Sequence, residues 1–540
     1  MNPAKSDNSE DDAEQDDELV ISMKVLKKCG KNIVNCVVPD GVKSISKEAF
    51  KDCEKLKSVV LPSSIIKIGE SAFMSCSSLE SIVLPEGLAT IGHSAFSECF
   101  NLKEITLPNS LESIGKSAFS FCKSLRTVKF PANIHKIAED TFFACNVLNE
   151  VIFSEAIEVI EDSAFLECMG LETIAFPSNI KDIGEYAFAR CEKLKEISFS
   201  EGIESIGKNA FTECNNIERI NFPKSLKNIG DNAFDSCTGL KSINISGNET
   251  IIRKSAFSSC EALEDVTISE GTRRIEEYAF RFCSKLKRMD LPDSLEYIGE
   301  GAFAYCDTLT EIIIPGSVKT IEKNAFHLCT ELKEIKLGEG ITTIGKGWFA
   351  DCSELRILKL PSSVEYIQEA AFSNCNYLDK IYMPLSIKYV AEDSLPEFVD
   401  IELYGGEDHS EEIRNIDADI SVIRNSMIIP EENELAQIEI RITQLKNEKA
   451  SLGLFKGKQK KALEEQVVEL SRQADILRQC IDAKKPRIEA ECNGKIRILQ
   501  AKAEQLKKQQ AEQKRNVERV AEMLKNIDKH FTIIYNGMEL

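Results

Sequence analysis

The chain has 540 residues, 43% of them hydrophobic and 29% charged, with a net charge of −21. That composition supports a buried core and excludes a wholly disordered chain. Residues 431–540 hold 22 Lys and Arg against 18 Asp and Glu, so the negative excess lies in the first 430 residues, which argues against nucleic acid as a partner.

In chain order, the first eighteen residues, MNPAKSDNSEDDAEQDDE, carry eight acids and one lysine. Residues 1–18 read as a disordered acidic tail and not as a secretion signal, which needs a basic start and an apolar run. No stretch approaches the length of uncharged apolar sequence that a membrane span requires. Without an export signal, nineteen cysteines point to a reducing compartment, the cytoplasm, and to free thiols. Surface exposure by a non-standard route is the alternative. From residue 19 to 404 one period governs. Cysteine recurs at 53, 76, 99 and every 23 residues thereafter to 375, and a phenylalanine stands three places before each, from Phe50 to Phe372. A period kept over fifteen units without insertion or deletion is the signature of a solenoid, each coil stacked in register on the last.

Three residues after each cysteine comes leucine, with Ile217 the one change; six after comes Val, Ile, Leu or Met; eight after comes Leu61, Leu84, Phe130, Ile245 and their kin. This L-x-x-I-x-L run ends in the alternation of a half-buried strand, and stacked coils pair such strands into one parallel sheet with its apolar side inward. Proline follows in ten of fifteen coils and marks where the chain leaves the ladder. The S-A-F-x-x-C stretch fits one short helical turn on the convex side. Cysteine, small and readily buried, fills an interior slot beneath it. The odd count and the reducing compartment argue against disulfides, and the lack of paired thiolates or histidines at ligand spacing argues against a metal ladder.

These residues resemble the BspA-like class of leucine-rich repeat proteins, with its 23-residue unit. The likeness rests on Leu56, Val59, Leu61, Pro62, Ile65, Ile68, Gly69, Ala72, Phe73 and Cys76 and their equivalents in every coil. A leading coil (Ile33, Cys36, Val38, Pro39, Val42, Ile45, Ala49, Phe50) falls in register behind a VLKKCGKN cap, and Ile401–Tyr404 reads as a closing strand. The resemblance implies an α/β repeat solenoid, a right-handed superhelix with a parallel sheet on its concave face, and a non-enzymatic binding role; many members are surface adhesins or antigens. There are departures. Ser64, Gly87, Ser110 and Asn133 stand where commoner leucine-rich repeats have an asparagine ladder. Glu249 and Thr272 interrupt an apolar column, which makes 246–276 the expected soft spot. Trp348, the single tryptophan, takes an alanine position.

After Gly405-Gly406 the period changes. Residues 405–430 read as an acidic linker and 431–530 as amphipathic helices. Their heptad seams are Leu435, Ile438, Ile442, Leu445 and Leu452; then Leu463, Val467, Leu470, Ala474, Leu477 and Ile481; then Leu499, Ala503, Leu506, Gln510, Gln513, Val517, Val520, Leu524 and Ile527. Turn signals at GLFKGK (453–458) and KKP (484–486) separate the runs. An antiparallel hairpin or three-helix bundle is expected, with a parallel coiled-coil dimer as the alternative, and these helices are the expected seat of homo-oligomerisation or docking. Residues 531–540, FTIIYNGMEL, form a C-terminal tail that makes a small strand or packs on the helices.

Motifs of chemistry are missing. GLFKGKQ lacks the spacing of a phosphate loop and the hydroxyl residue after its lysine. The five histidines (His93, His135, His327, His409, His530) are scattered, and no H-E-x-x-H, G-x-S-x-G or paired-carboxylate pattern occurs. No enzymatic activity, cofactor or metal is expected. What remains is surface, chiefly the solvent-facing strand positions five and seven after each cysteine. Val60, Val83, Glu104, Lys129, Glu150, Arg288, Asp290, Glu334, Lys336, Lys359, Lys380 and Tyr382 lie in those columns and are the candidate contacts for a protein partner.

Overall fold

The computed structural model describes residues 18–427, 429–452, 456–527 and 531–540; all of the expected acidic tail except Glu18 lies outside them, as do His530 and part of the GLFKGK turn. Two compact units result, one running to Tyr404 and including Ala521–Leu540, the other Gly405–Val520.

In the first unit, over about 17 turns, most coils contribute two short strands where one was expected; in the coil after Cys99 the first is reduced to a single bridge at Glu104. The L-x-x-I-x-L residues form the first stack. Ser58, Val59 and Val60 lie opposite Ser81, Ile82 and Val83, and the same 23-residue offset places Lys359 opposite Tyr382 near the far end. The isoleucine column forms a second parallel stack, in which Ile68 faces Ile91 and Ile91 faces Ile114. Each of its strands is two residues long, such as Lys67–Ile68. So short a strand shows no alternation in the sequence, which is why a single sheet was expected.

The S-A-F-x-x-C stretches are not the expected helical turns. Two residues in each adopt left-handed backbone, Ser71 at φ 50° and Ser75 at φ 60°, and the pair recurs at Ser94 and Glu98 and at Asn209 and Glu213. The amides then alternate. Ala72, Met74 and Cys76 donate back three residues, whereas Ser71, Phe73 and Ser75 donate to the carbonyls of His93, Ala95 and Ser97 in the next coil at 2.7–2.8 Å. A helix would keep every bond local; here half of them tie neighbours together.

Inside, the phenylalanines stack ring on ring without a gap, with centroids 4.6 Å apart for Phe50–Phe73 and 5.7 Å for Phe349–Phe372. The cysteine beside each does more than fill space. All fourteen thiols from Cys76 to Cys375 donate to the carbonyl of the phenylalanine 26 residues earlier, as Cys76 does to Phe50 at 3.0 Å. That carbonyl also accepts the amide of Cys53 at 3.1 Å. Alanine or valine offers no such second donor.

Serine takes over the absent asparagine ladder. Ser225 Oγ accepts from the Gly202 amide (3.0 Å) and donates to the Ile203 carbonyl (2.8 Å), and Ser64, Ser110, Ser294 and Ser363 repeat both bonds. On the surface, opposite charges face each other at 23-residue spacing, as in Lys47–Glu70 (2.8 Å), Glu80–Lys103 (2.8 Å) and Glu204–Lys227 (2.7 Å). Each such exposed pair is screened by solvent and contributes little by itself. Together they favour the observed register over a slipped one.

The expected soft spot keeps its pairing, with Asn244 opposite Thr267 and Ile251 opposite Arg274. Thr250, not Glu249, fills the buried column there and donates to Leu226 O at 2.8 Å. One coil on, the Thr272 hydroxyl is buried with no partner, as is the indole nitrogen of Trp348.

At the closing end, Asp400–Tyr404 pairs with Lys380–Pro384 on one side and with Thr532–Tyr535 on the other, Ile401 facing Ile533. The C-terminal tail is therefore a strand of the first stack. It folds back onto Met538–Glu539 through Asn536 and Gly537, both at positive φ (49° and 74°), the backbone of a tight hairpin turn.

In the second unit, the segment expected as a linker contains helix α1 (Ser410–Ser426). Its Ile413, Ile416 and Ile420 cluster with Ile496, Ala503 and Leu506; the surrounding acids obscured that three-and-four spacing. Helix α2 (Pro430–Ser451) follows, then α3 (Gly457–Lys525). Glu431–Lys484 (2.5 Å), Glu439–Arg478 (2.5 Å) and Lys449–Glu464 (2.7 Å) set α2 antiparallel to the first half of α3. Ser410–Gln510 (2.7 Å) and Glu412–Lys502 (2.8 Å) set α1 antiparallel to the second half. The break expected at 484–486 is absent, since α3 passes through Pro486. Losing that amide costs about 3 kcal/mol, and Ala474, Ile481, Ile496 and Ala503, buried on both sides of it, hold the helix together. Among the described residues no helix is long and apolar enough to cross a membrane.

Candidate protein-binding surface

The inner residue of each first-stack strand is buried, so its two flanking residues point to solvent. The twelve candidate residues occupy these outward positions; ten are exposed and Lys380 and Tyr382 are half-buried. Strand pairing gathers them at the two ends of the face.

At the N-terminal end Val60 faces Val83, and Val60 also faces Val37 of the leading coil. These three valines are 68% (Val37), 58% (Val60) and 78% (Val83) exposed. They form an apolar row beside Asn35, Ser58 and Ser81, with Ser58 Oγ donating to Asn35 Oδ1 at 2.7 Å. Val37 escaped the sequence reading because its coil has Gly30 where the counting cysteine belongs; counting from that glycine places it. Glu104 continues the neighbouring column of Asn35, Ser58 and Ser81 through a bridge from Ser81. Lys129 and Glu150 follow on adjoining strands, Lys129 opposite Ile152 and Glu150 opposite Thr127.

At the other end the candidates are charged and paired. Arg288 contacts Asp290 (3.2 Å) and Glu311 (3.1 Å), and Glu334 contacts Lys336 (2.8 Å). Lys380 meets Glu402 at 2.8 Å and lies over the Tyr382 ring, while Lys359 lies over Tyr404. The Glu402 carboxylate holds the Lys380 ammonium above its ordinary range. Burial pushes the Tyr404 hydroxyl up to about 12, and it donates to the Leu360 carbonyl. Tyr404 and Glu402 were missed because they follow the last counted cysteine. Ile313 and Ile357 add exposed apolar surface, at 42% and 58%. Between the two ends the face is mostly small and polar, as at Thr173, Ala175, Ser198, Asn221, Ser242 and Asn244.

Reactive constellations do not assemble on this frame. Among the described residues no group of three or more His, Cys, Asp or Glu is placed to hold a metal. His93 and His135 are exposed, and His327 Nδ1 sits 3.2 Å from the Ala350 carbonyl and 3.5 Å from Asp351. A depression of about 700 Å³ near the closing coils is lined by Ser373, Asn374, Glu392, Asp393 and Phe398, with no histidine, cysteine or lysine in its wall.

The profile of the BspA type leucine rich repeat region matches the chain in six copies, over segments 20–149, 113–240, 205–329, 250–379 and 298–414. A leucine-rich repeat protein from Bacteroides ovatus is 29% identical, with a TM-score of 0.59 over 71% of this chain and 94% of that one. The chain is also similar to a leucine rich cell surface protein from Faecalibacterium prausnitzii (21% identical, 72% and 93% covered, TM-score 0.32). Similar again is the pneumococcal vaccine antigen PcpA (23% identical, 72% and 88% covered, TM-score 0.34). No curated protein matches.

Proposed function

The chain belongs to the BspA-type leucine-rich repeat family, whose solenoids are non-enzymatic interaction scaffolds or adhesins, and from that premise we propose that it binds a protein partner on the outward face of its first strand stack. The observation that carries this reading is the valine row. Single exposed apolar side chains are ordinary on a protein surface, whereas a contiguous row of them marks a contact site. Val37, Val60 and Val83 are directly opposed on successive strands and each is more than half exposed. The polar columns beyond, including Glu104, Lys129 and Glu150, supply the rim that surrounds such a contact. Arg288, Asp290, Glu334, Lys336, Lys359, Lys380 and Tyr382 form a second, more polar contact zone. The helices α1–α3 serve self-association or docking in this proposal, and the unpaired thiols favour the cytoplasm as its setting.

The test is capture from lysate of the source cells by the full chain, compared with a Val60→Lys/Val83→Lys variant whose circular dichroism is unchanged. The proposal expects one protein enriched at least tenfold by the parent chain and lost with the variant. Equal capture by both chains removes the valine row from the site. Recovery of the native protein on the cell surface in fractionation replaces the cytoplasmic setting with the adhesin reading.

A further inference from the structure

The two strand stacks of the solenoid do not end level. At the N-terminal end the second stack runs two strands past the first, since Val25–Lys28 and then Val20–Ser22 lie outside the coil whose first-stack strand is Asn35–Val37. At the closing end the first stack runs three strands past the second. Asp400–Tyr404, Thr532–Tyr535 and Met538–Glu539 lie beyond the coil that ends in Tyr389–Val390. Each end therefore projects on the stack where the other is recessed. Among the described residues no strand pairs with the outer edge of Val20–Ser22, Asn35–Val37, Tyr389–Val390 or Met538–Glu539. Unpaired edges of this kind are templates for another chain.

The ends also carry opposite charge. Residues 20–37 hold four lysines, Lys24, Lys27, Lys28 and Lys31, and no acid; all four are exposed and make no ion pair among the described residues. Residues 391–404 and 532–539 hold six acids and no base. Glu392 and Glu397 among them are exposed and likewise have no ion pair among the described residues. One column shows the pattern directly. Lys28 stands two residues after Leu26, as Lys47 does after Ile45, the residue opposite Leu26, and Glu392 stands two after Val390. In between, the column is tied by pairs across coils, Lys47–Glu70 (2.8 Å), Glu300–Lys323 (3.1 Å) and Lys346–Glu369 (3.2 Å). Its first lysine and its last carboxylate are left over. Large apolar side chains stand exposed at the same ends, Met23 (95%) at one and Phe398 (75%) at the other, where a capped array has a polar outer face.

We propose that copies of this chain join head to tail, the lysine-bearing N-terminal end of one solenoid seated on the acidic closing end of the next. The projecting strands of each end enter the recess of the other, and lysines face carboxylates as they do between coils. The contact is heterologous, so every joined pair keeps one free end of each kind and the assembly extends beyond a dimer. It involves neither the valine row nor α1–α3.

The experiment measures the mass of the full chain by sedimentation over a concentration series, in about 50 and about 500 mM salt. The mass is expected to grow past that of a dimer with concentration, and association to weaken at least about tenfold at the higher salt, where screening is strong. Two variants, Lys28→Glu/Lys31→Glu and Glu392→Lys/Glu397→Lys, each alter one end at exposed positions, with the fold checked by circular dichroism. Each alone should associate at least about tenfold more weakly than the parent, because the charges of the two ends no longer match; an equimolar mixture should recover association, because the altered ends complement each other. Association through the helices would survive both changes. A full chain that stays monomeric, growth that stops at the dimer, or assembly that appears only after residues 1–17 are removed overturns the proposal. So does association unchanged in either variant, or a mixture no more associated than its components.

Discussion

Raising the pH should unfold the solenoid through its cysteines, by an amount that can be counted. An unperturbed thiol titrates near 9.0, while burial pushes Cys329 and Cys375 up to about 12 and raises the other ladder thiols as well. A thiol with a raised folded pKa contributes stability that is fully present below pH 9 and is lost as pH climbs from there through the folded value. At pH 10 the unfolded thiol gains about 1.4 kcal/mol by ionising, a gain its buried counterpart is denied. Replacing Cys191, Cys214 and Cys237 by alanine removes three such groups. The variant starts less stable, since it loses packing and three hydrogen bonds, but that deficit does not depend on pH. Urea unfolding followed by circular dichroism at pH 7.5 and pH 10, with reductant, should therefore show the gap between parent and variant closing by about 4 kcal/mol. Lysine and tyrosine titrate in both chains and cancel. An identical pH dependence in the two chains would refute the claim that these thiols are held neutral in the interior.

Three other expectations use the same equilibrium measurements. Phe211→Ala empties a fully buried site between Phe188 and Phe234, whose rings lie 5.3 and 5.1 Å away, and should cost about 3–5 kcal/mol; a loss under about 1 kcal/mol would contradict a continuous ring stack. Ser225→Ala removes both ladder bonds and leaves the Gly202 amide and Ile203 carbonyl without that partner, so a loss of about 1–3 kcal/mol should appear in urea melts. Pro486→Ala restores an amide to the middle of α3 and should raise the thermal midpoint of the helical signal, with up to about 3 kcal/mol regained; a lowered midpoint would mean the proline relieves a strain not seen in the helix.

The repeat was legible because its largest residues sit at fixed spacing: Phe73, Cys76, Leu79 and Ile82 each occupy a buried position that tolerates little else. What stayed hidden was backbone. Nothing in S-A-F-x-x-C shows that Ser71 and Ser75 are left-handed, because serine, glutamate, tyrosine and arginine all fill those positions when lateral hydrogen bonds compensate the strain. The second strand stack was too short to reveal a period. In the C-terminal region apolar spacing was followed and two local signals were misweighed. Pro486 was given more power to break a helix than its neighbours allow, and Asn536-Gly537, a strong hairpin signal, was passed over. On the candidate surface, every column assignment rested on counting from a cysteine, so Val37 and Tyr404, which lie beyond the first and last counted coils, were overlooked.

The most direct test of the stacked-coil account is the reactivity of the thiols in the native protein toward a bulky maleimide, read residue by residue by mass spectrometry. The account predicts rapid modification of Cys480 and Cys492, which are only partly buried, and protection of every cysteine from Cys76 to Cys375 until denaturant is added. Rapid native modification of cysteines such as Cys191, Cys214 and Cys237 would contradict it.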